Sequence, residues 1–243
     1  MKKTFQGKFK TFFELENSDL GQASSYNLDK ISTAFSQEKW LIRQSEFFEM
    51  SLNGELPRNS NLPIFTFLNS RERILDIGGG SGWVSNLLHK DCVYRNLENK
   101  DIQEFFSNRY NISSRFISDA SEIITYKPSM VYANSVVQYF TKIADFINLV
   151  VIAQPLHVLL DDLYLSERGS FYSLQRYYET YIPTFFPFAE EFISMFKEIS
   201  YDVVFDFPFL ITNNKDLRIA IDLHDEESEF LEPPRTILFR KNH

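Results

Sequence analysis

The sequence predicts an α/β protein: an open, mostly parallel sheet of seven strands, the last one antiparallel, with an N-terminal helical extension. Three observations predict it. Residues 73–88, RILDIGGGSGWVSNLL, read as a buried strand that runs through glycines into a helix. Beyond them, short apolar runs alternate with segments of helical period, the pattern of parallel strands joined by crossovers. Two further apolar runs, 201–207 and 236–240, read as a terminal hairpin.

The elements follow in order. Residues 1–27 show no clean period. Basic and aromatic residues (Phe5, Phe9, Phe12, Phe13) alternate there before polar turn formers, as in an arm laid over a domain. Asn27 suits the N-cap of a helix running to about residue 44, with Leu28, Ile31, Phe35 and Ile42 on one stripe. A second helical piece covers 46–52 and is broken by Asn53-Gly54 and Pro57. Residues 63–68 lead into the first strand, and the sharpest boundary falls near residue 70. It divides an arm and helical cap, 1–70, from a ligand-binding domain, 71–243.

The first strand carries Ile74, Leu75 and Ile77, the turn carries Gly78, Gly79, Gly80 and Gly82, and a helix spans 83–90. The second strand is 92–98. A helix at 101–110 aligns Ile102, Phe105, Phe106 and Tyr110, and the third strand, 115–118, ends at Asp119. The fourth strand is 130–134, followed by a helix with Ile143, Phe146, Ile147 and Val150. The fifth, 156–160, ends in Asp161-Asp162. Residues 163–187 read as a long loop rich in Tyr and Phe, a length typical of functional loops and lids. A helix at 188–200 precedes the sixth strand, 201–207, and an insertion, 208–234, extends the hairpin toward the seventh, 236–240.

Composition narrows the class. A net charge of −8 offers no basic excess for phosphates, which argues against a nucleic-acid partner. Cys92 is the sole cysteine, so an internal disulfide and a cysteine-rich metal site are excluded. The opening MKKTFQGKFKTFF lacks the apolar run of a signal peptide, and no run of about 18 apolar residues exists to span a membrane. The expectation is a soluble cytoplasmic protein. The oligomeric state is left open.

The glycine stretch carries the chemistry. Glycines admit close backbone approach, and a helix N-terminus offers unpaired N–H groups, so strand, glycines and helix together make a ligand cradle. The dinucleotide fingerprint G-x-G-x-x-G fits Gly78 and Gly80 but needs a third glycine where Trp83 stands. An acid, Asp76, precedes the first glycine by two. Glu98 stands 18 residues after Gly80, at the end of the second strand, near where such a sheet sets a carboxylate on ribose hydroxyls.

The pattern Asp76-x-Gly78-x-Gly80-x-Gly82 resembles motif I of the class I S-adenosyl-L-methionine (SAM) methyltransferases, whose Rossmann-like sheet has this order of elements. The chain also looks like a bacterial family of putative methyltransferases associated with surface-polysaccharide synthesis. That likeness rests on Phe5-x-Gly7-x-Phe9, the Asp76 glycine motif, SVVQY at 135–139, Gln175 before Tyr181-Ile182-Pro183, and Tyr201-Asp202-Val203-Val204. The resemblance implies SAM as cofactor, a sugar-like or other small acceptor, and a carboxylate at Asp119 for the adenine amino group.

Asp76, Gly78, Gly80, Gly82, Glu98, Asp119 and Asn134 are therefore the candidate cofactor residues. A hydroxyl acceptor also needs a base, and Asp161, Asp162, His224 and Tyr139 are candidates. His224 sits among Asp222, Asp225 and Glu226 and titrates nearest neutrality. Asp161-Asp162 with Asn134 offers oxygen ligands to a divalent ion, but adjacent carboxylates on a strand point to opposite faces, so no metal is expected. The leading reading is an O-directed methyltransferase acting on a small or carbohydrate acceptor. A non-catalytic scaffold on the same fold is the alternative. A nucleotide-dependent oxidoreductase is disfavoured by Trp83.

Overall fold

Buried apolar runs that are distant in sequence become neighbours in one sheet. The computed structural model describes residues 4–19, 38–57, 65, 67–68, 73–177, 180–208, 219–222, 228–231 and 233–242. Along the chain its strands are β1 Thr4–Phe9, β2 Arg73–Ile77, β3 Val93–Leu97, β4 Phe116–Ile117, β5 Met130–Asn134, β6 His157–Leu163, β7 Phe171–Tyr177, β8 Thr180–Phe186, β9 Tyr201–Pro208, β10 Ile219–Asp222, β11 Ser228–Leu231 and β12 Arg235–Lys241.

The larger sheet runs β4-β3-β2-β5-β6-β12-β9. Strands β2 to β6 pair in parallel, and β12 is antiparallel to both β6 and β9. The chain moves outward from β2 to β3 and β4, then returns across the sheet to β5. Ligands bind at such a reversal, beyond the carboxyl ends of the strands. Alternation along β2 sends Leu75 and Ile77 into one apolar layer, with Phe146 and Phe196. Ile74 enters the other, with Trp40, Phe47 and Phe48. Asp76 shares the face of Ile74.

The helices Lys100–Tyr110, Ile143–Ala153 and Ala189–Glu198 form where the period predicts them. Helix Glu38–Leu52 joins two expected pieces into one, burying Trp40, Gln44, Phe47, Phe48 and Ser51 on one stripe. Ile42 is exposed, off that stripe. Residues 27–37, the first part of the expected helix, lie outside the described residues.

Two expectations are corrected. The helix expected at 83–90 is a 3-10 turn, Trp83–Asn86. The N–H groups of Ser85 and Leu87 bond back three residues, and the Ser85 hydroxyl donates to the Gly82 carbonyl at 2.7 Å. Val84, Ser85 and Asn86 are weak helix formers, and this side-chain bond competes with the helical ladder.

The second correction concerns 163–187 and 208–234. They supply strands, not a loop and an extended hairpin. With β1 they build a second sheet, β11-β10-β1-β7-β8, in which β1 is parallel to β10 and antiparallel to β7. The arm expected at the N-terminus is thus an interior strand. Phe5, Tyr164, Phe171 and Phe186 form a separate apolar cluster here. The rings of Phe171 and Phe186 stack at 4.7 Å, and Phe5 meets Phe186 edge-on at 5.1 Å. Pro183 is tolerated because β8 is an edge strand. Among the described residues no helix is long and apolar enough to cross a membrane.

Candidate functional site

The glycine turn lies at the carboxyl end of β2, and β3 holds it from one side. Gly78 N–H donates to the Leu97 carbonyl at 2.9 Å. Gly79 N–H donates to Asn96 Oδ1 at 3.1 Å, and Asn96 Nδ2 donates to the Gly80 carbonyl at 3.0 Å. Gly80 N–H donates to Glu98 Oε2 at 2.9 Å, while Asn99 N–H donates to Glu98 Oε1 at 2.8 Å. Ser81 N–H reaches Gln44 Oε1, on the Glu38–Leu52 helix, at 3.4 Å. Gly80 has φ +57°, and a Cβ there would lie 2.6 Å from Gln44 Oε1, so both the turn and its neighbour require glycine.

This wiring separates the site from a phosphate cradle. A phosphate loop turns free N–H groups, backed by a helix dipole, toward an anion. Here the N–H groups of residues 78–81 are bonded to protein acceptors, one of them a carboxylate. The four-residue 3-10 turn that follows supplies no helix N-terminus. The expected row of unpaired N–H groups is absent from this turn. With these N–H groups spent on protein acceptors, the Glu98 carboxylate among them, the turn offers a pyrophosphate no row of free donors.

Asp76 is buried beneath the turn, 1% exposed. Tyr94 OH donates to its Oδ2 at 2.6 Å. A Cβ on Gly79 would lie 2.5 Å from that oxygen, so the glycine lets the backbone close over the acid. Burial pushes the Asp76 carboxyl up to about 8, against the bond from Tyr94, and the nearby Glu98 raises it further. Burial also raises Glu98, against the N–H groups of Asn99 and Gly80.

A cleft open to solvent spreads from the turn. Trp40, Trp83 and Val84 give it apolar walls. Asp76, Glu98 and Gln44 line it beside the glycine turn, and Tyr132, Asn134, Ser135, Tyr139 and Gln175 supply its remaining polar groups. Tyr139 OH donates to Gln175 Oε1 at 2.8 Å, tying the segment after β5 to β7 of the second sheet. Asn134 Nδ2 donates to Tyr132 OH at 2.9 Å and to Asp161 Oδ2 at 3.0 Å.

Of the residues expected from sequence, Asp76, Gly78, Gly80, Glu98, Asn134 and Tyr139 line this cleft. Gly82 shapes the turn from outside the lining. Asp119 caps the helix Ala120–Tyr126: its Oδ1 accepts from Ser121 N–H at 2.7 Å, Ser121 OH at 2.5 Å and Glu122 N–H at 3.3 Å. These bonds, that of the Ser121 hydroxyl foremost, lower its carboxyl below the ordinary value. It stands on the exposed surface, outside the cleft. Asp161 is also set apart, since Thr236 OH donates to its Oδ1 at 2.6 Å and Asn134 takes Oδ2. Asp162 accepts from the Ser135 hydroxyl. His224 lies outside the described residues.

Gln44, Tyr94, Asn96 and Gln175 belong to the site without having been singled out as ligand residues. The available signal was a polar residue inside an apolar pattern: Gln44 on the Trp40–Phe47–Phe48 stripe, and Asn96 two places before Glu98 on the second strand.

No protein-family model matches the chain, and no curated protein matches it. Solved structures resemble it at the level of fold. Streptomyces venezuelae DesVI superposes with a TM-score of 0.53 at 11% identity, covering 90% of this chain and 100% of that one. The mitomycin 7-O-methyltransferase MmcR gives a TM-score of 0.50 at 13% identity, covering 96% of this chain. This chain spans 61% of the length of that methyltransferase. Strand order and these likenesses assign the Rossmann-like fold of the class I SAM-dependent methyltransferases.

Proposed function

We propose that the chain is a methyltransferase that uses S-adenosyl-L-methionine and methylates an oxygen of a small or carbohydrate acceptor. The observation that carries this reading is the glycine turn whose N–H groups are spent on protein acceptors and whose neighbours are two acids. Such a turn suits a ligand that is neutral at the ribose and cationic beyond it. The donor set fits: Glu98 keeps lone pairs for two ribose hydroxyls, and the glycines let the ligand lie against the backbone. Adenine recognition by Asp119 would have to use Oδ2, since Oδ1 carries the cap.

Bound there, SAM supplies a methyl group on a positively charged sulfur. The chain's own work is alignment, exclusion of water and handling of the acceptor's proton. Trp40, Trp83 and Val84 give the cleft its apolar walls. Tyr139, fixed by Gln175, and Asn134, fixed by Tyr132 and Asp161, present polar atoms of defined orientation to an acceptor. Removing a hydroxyl proton is worth about 10²–10⁴-fold. Tyr139 is the candidate group within the cleft, and His224 the candidate from outside the described residues. Asp161 acts through Asn134 instead.

The test is calorimetric titration with SAM, S-adenosylhomocysteine and NAD in parallel. The two adenosyl ligands should bind and NAD should not. Failure of both adenosyl ligands to bind would overturn the reading. Formation of S-adenosylhomocysteine over a set of nucleotide sugars and glycan intermediates, the acceptors suggested by the polysaccharide resemblance, separates an enzyme from a cofactor-binding scaffold.

A further inference from the structure

The side chain most at odds with its surroundings is Asp76. Its Oδ1 is buried without a hydrogen-bond partner, although its Oδ2 receives the Tyr94 hydroxyl. A carboxylate needs its lone pairs satisfied when it leaves water, and one with an empty oxygen is costly to ionise. Of the titratable groups around it, Glu98 increases that cost and Tyr94 offsets part of it. Glu98, at the end of β3, faces it with like charge across the glycine turn. Tyr94 on β3 and Tyr132 on β5 are neutral phenols on the same face, and Asp76 is the direct neighbour of Tyr132 across the β2–β5 pair. Arg115, whose charge acts on Tyr94, is committed to Ser85 and Asn86 at 2.6 and 2.7 Å. Among the described residues no Lys, Arg or His bonds to Asp76. The cleft nevertheless opens beside it.

We propose that Tyr94 and Asp76 form a proton-linked latch under the glycine turn: the free protein holds a proton on Asp76 and releases it when a cationic ligand settles on the turn. This rests on the cofactor reading above. The exchange balances as one carboxylic proton passed to the buffer for one positive charge brought to the site. Tyr94 is a positioning residue. It touches no ligand, yet its hydroxyl aims the carboxyl and supports the ionised form by donating to it. Burial holds Asp76 near 8, so the exchange falls in the neutral range.

Two measurements test the latch. In the free protein, carboxyl-¹³C NMR with labelled aspartate should show one resonance titrating near pH 8, absent from Asp76→Asn. If every aspartate titrates in the ordinary carboxyl range, the proposal is wrong, whatever the cofactor. In the complex, S-adenosyl-L-methionine, which carries the sulfonium charge, is titrated from pH 6 to 9 in buffers of different ionisation enthalpy. Below about pH 8, wild-type affinity should rise with pH, by up to about tenfold per unit for one proton released, whereas Asp76→Asn should show no such rise. Tyr94→Phe removes the donor to the ionised form, so its midpoint should move upward. Binding that is equally insensitive to buffer and pH in all three proteins would sink the latch while leaving the cofactor assignment intact. Absence of binding at every pH would sink the cofactor assignment instead, and the NMR titration would still decide the latch.

Discussion

At the scale of single residues, the site is a set of burial costs offset by geometry, and substitutions should expose each one. Gly80→Ala must place a side chain at φ +57° against Gln44. A loss of about 1–2 kcal/mol is expected in urea unfolding, with weaker SAM binding in calorimetry. Asp76 gives a pH signature. Its carboxyl is raised to about 8 in the folded protein, so between about pH 4 and 8 the native state holds a proton that the unfolded chain has lost. Its contribution is most favourable in acid and is lost as pH rises toward 8. Asp76→Asn should therefore raise the melting temperature relative to wild type most near pH 8 and least near pH 4, as differential scanning fluorimetry would show. Asp76 and Glu98 were legible in the sequence because spacing from the glycines marks them. Tyr94 and Gln175 were not, because a phenol or an amide within an aromatic-rich strand carries no spacing rule.

Among the elements, the two sheets differ in how openly the sequence declares them. Strands β2, β3, β5, β6 and β12 were legible as apolar runs separated by glycines or helical segments. Strands β7 and β8 were hidden, because one face mixes Phe171, Ser173 and Gln175 with Ile182, Thr184 and Phe186 opposite, and reads as an aromatic loop. The turn at Trp83 was misread because a glycine-rich strand end invites a helix that its own serine interrupts. The second sheet depends on few aromatic contacts, so Phe186→Ala should be severe, costing about 3–5 kcal/mol. Hydrogen exchange should then show faster exchange in β1 and β7, with β2 and β5 largely protected. The pair formed by Arg235 Nε and Nη2 with Asp206, at 2.8 and 2.6 Å, joins β12 to β9. Asp206→Asn should leave the fold intact and loosen that edge.

In the whole molecule, the cleft belongs to both sheets, because Tyr139 and Gln175 meet across it while Gln44 lines it beside the glycine turn. Deleting residues 1–9 removes the strand that joins β10 to β7. The expected result is a lower melting temperature and poorer SAM binding, with the seven-stranded sheet retained in far-ultraviolet circular dichroism. The placement of β1 also sets a schedule for synthesis. Phe5 lies opposite Gln175 and Ile221 in the finished sheet, yet it leaves the ribosome long before either. At ~5–20 residues per second, the first strand waits on the order of ten seconds or more for its partners. Throughout that interval its edges and the Phe5 ring have no native cover. The nascent chain is then a client for any chaperone that binds extended aromatic segments, and β1 is the natural place for it to hold.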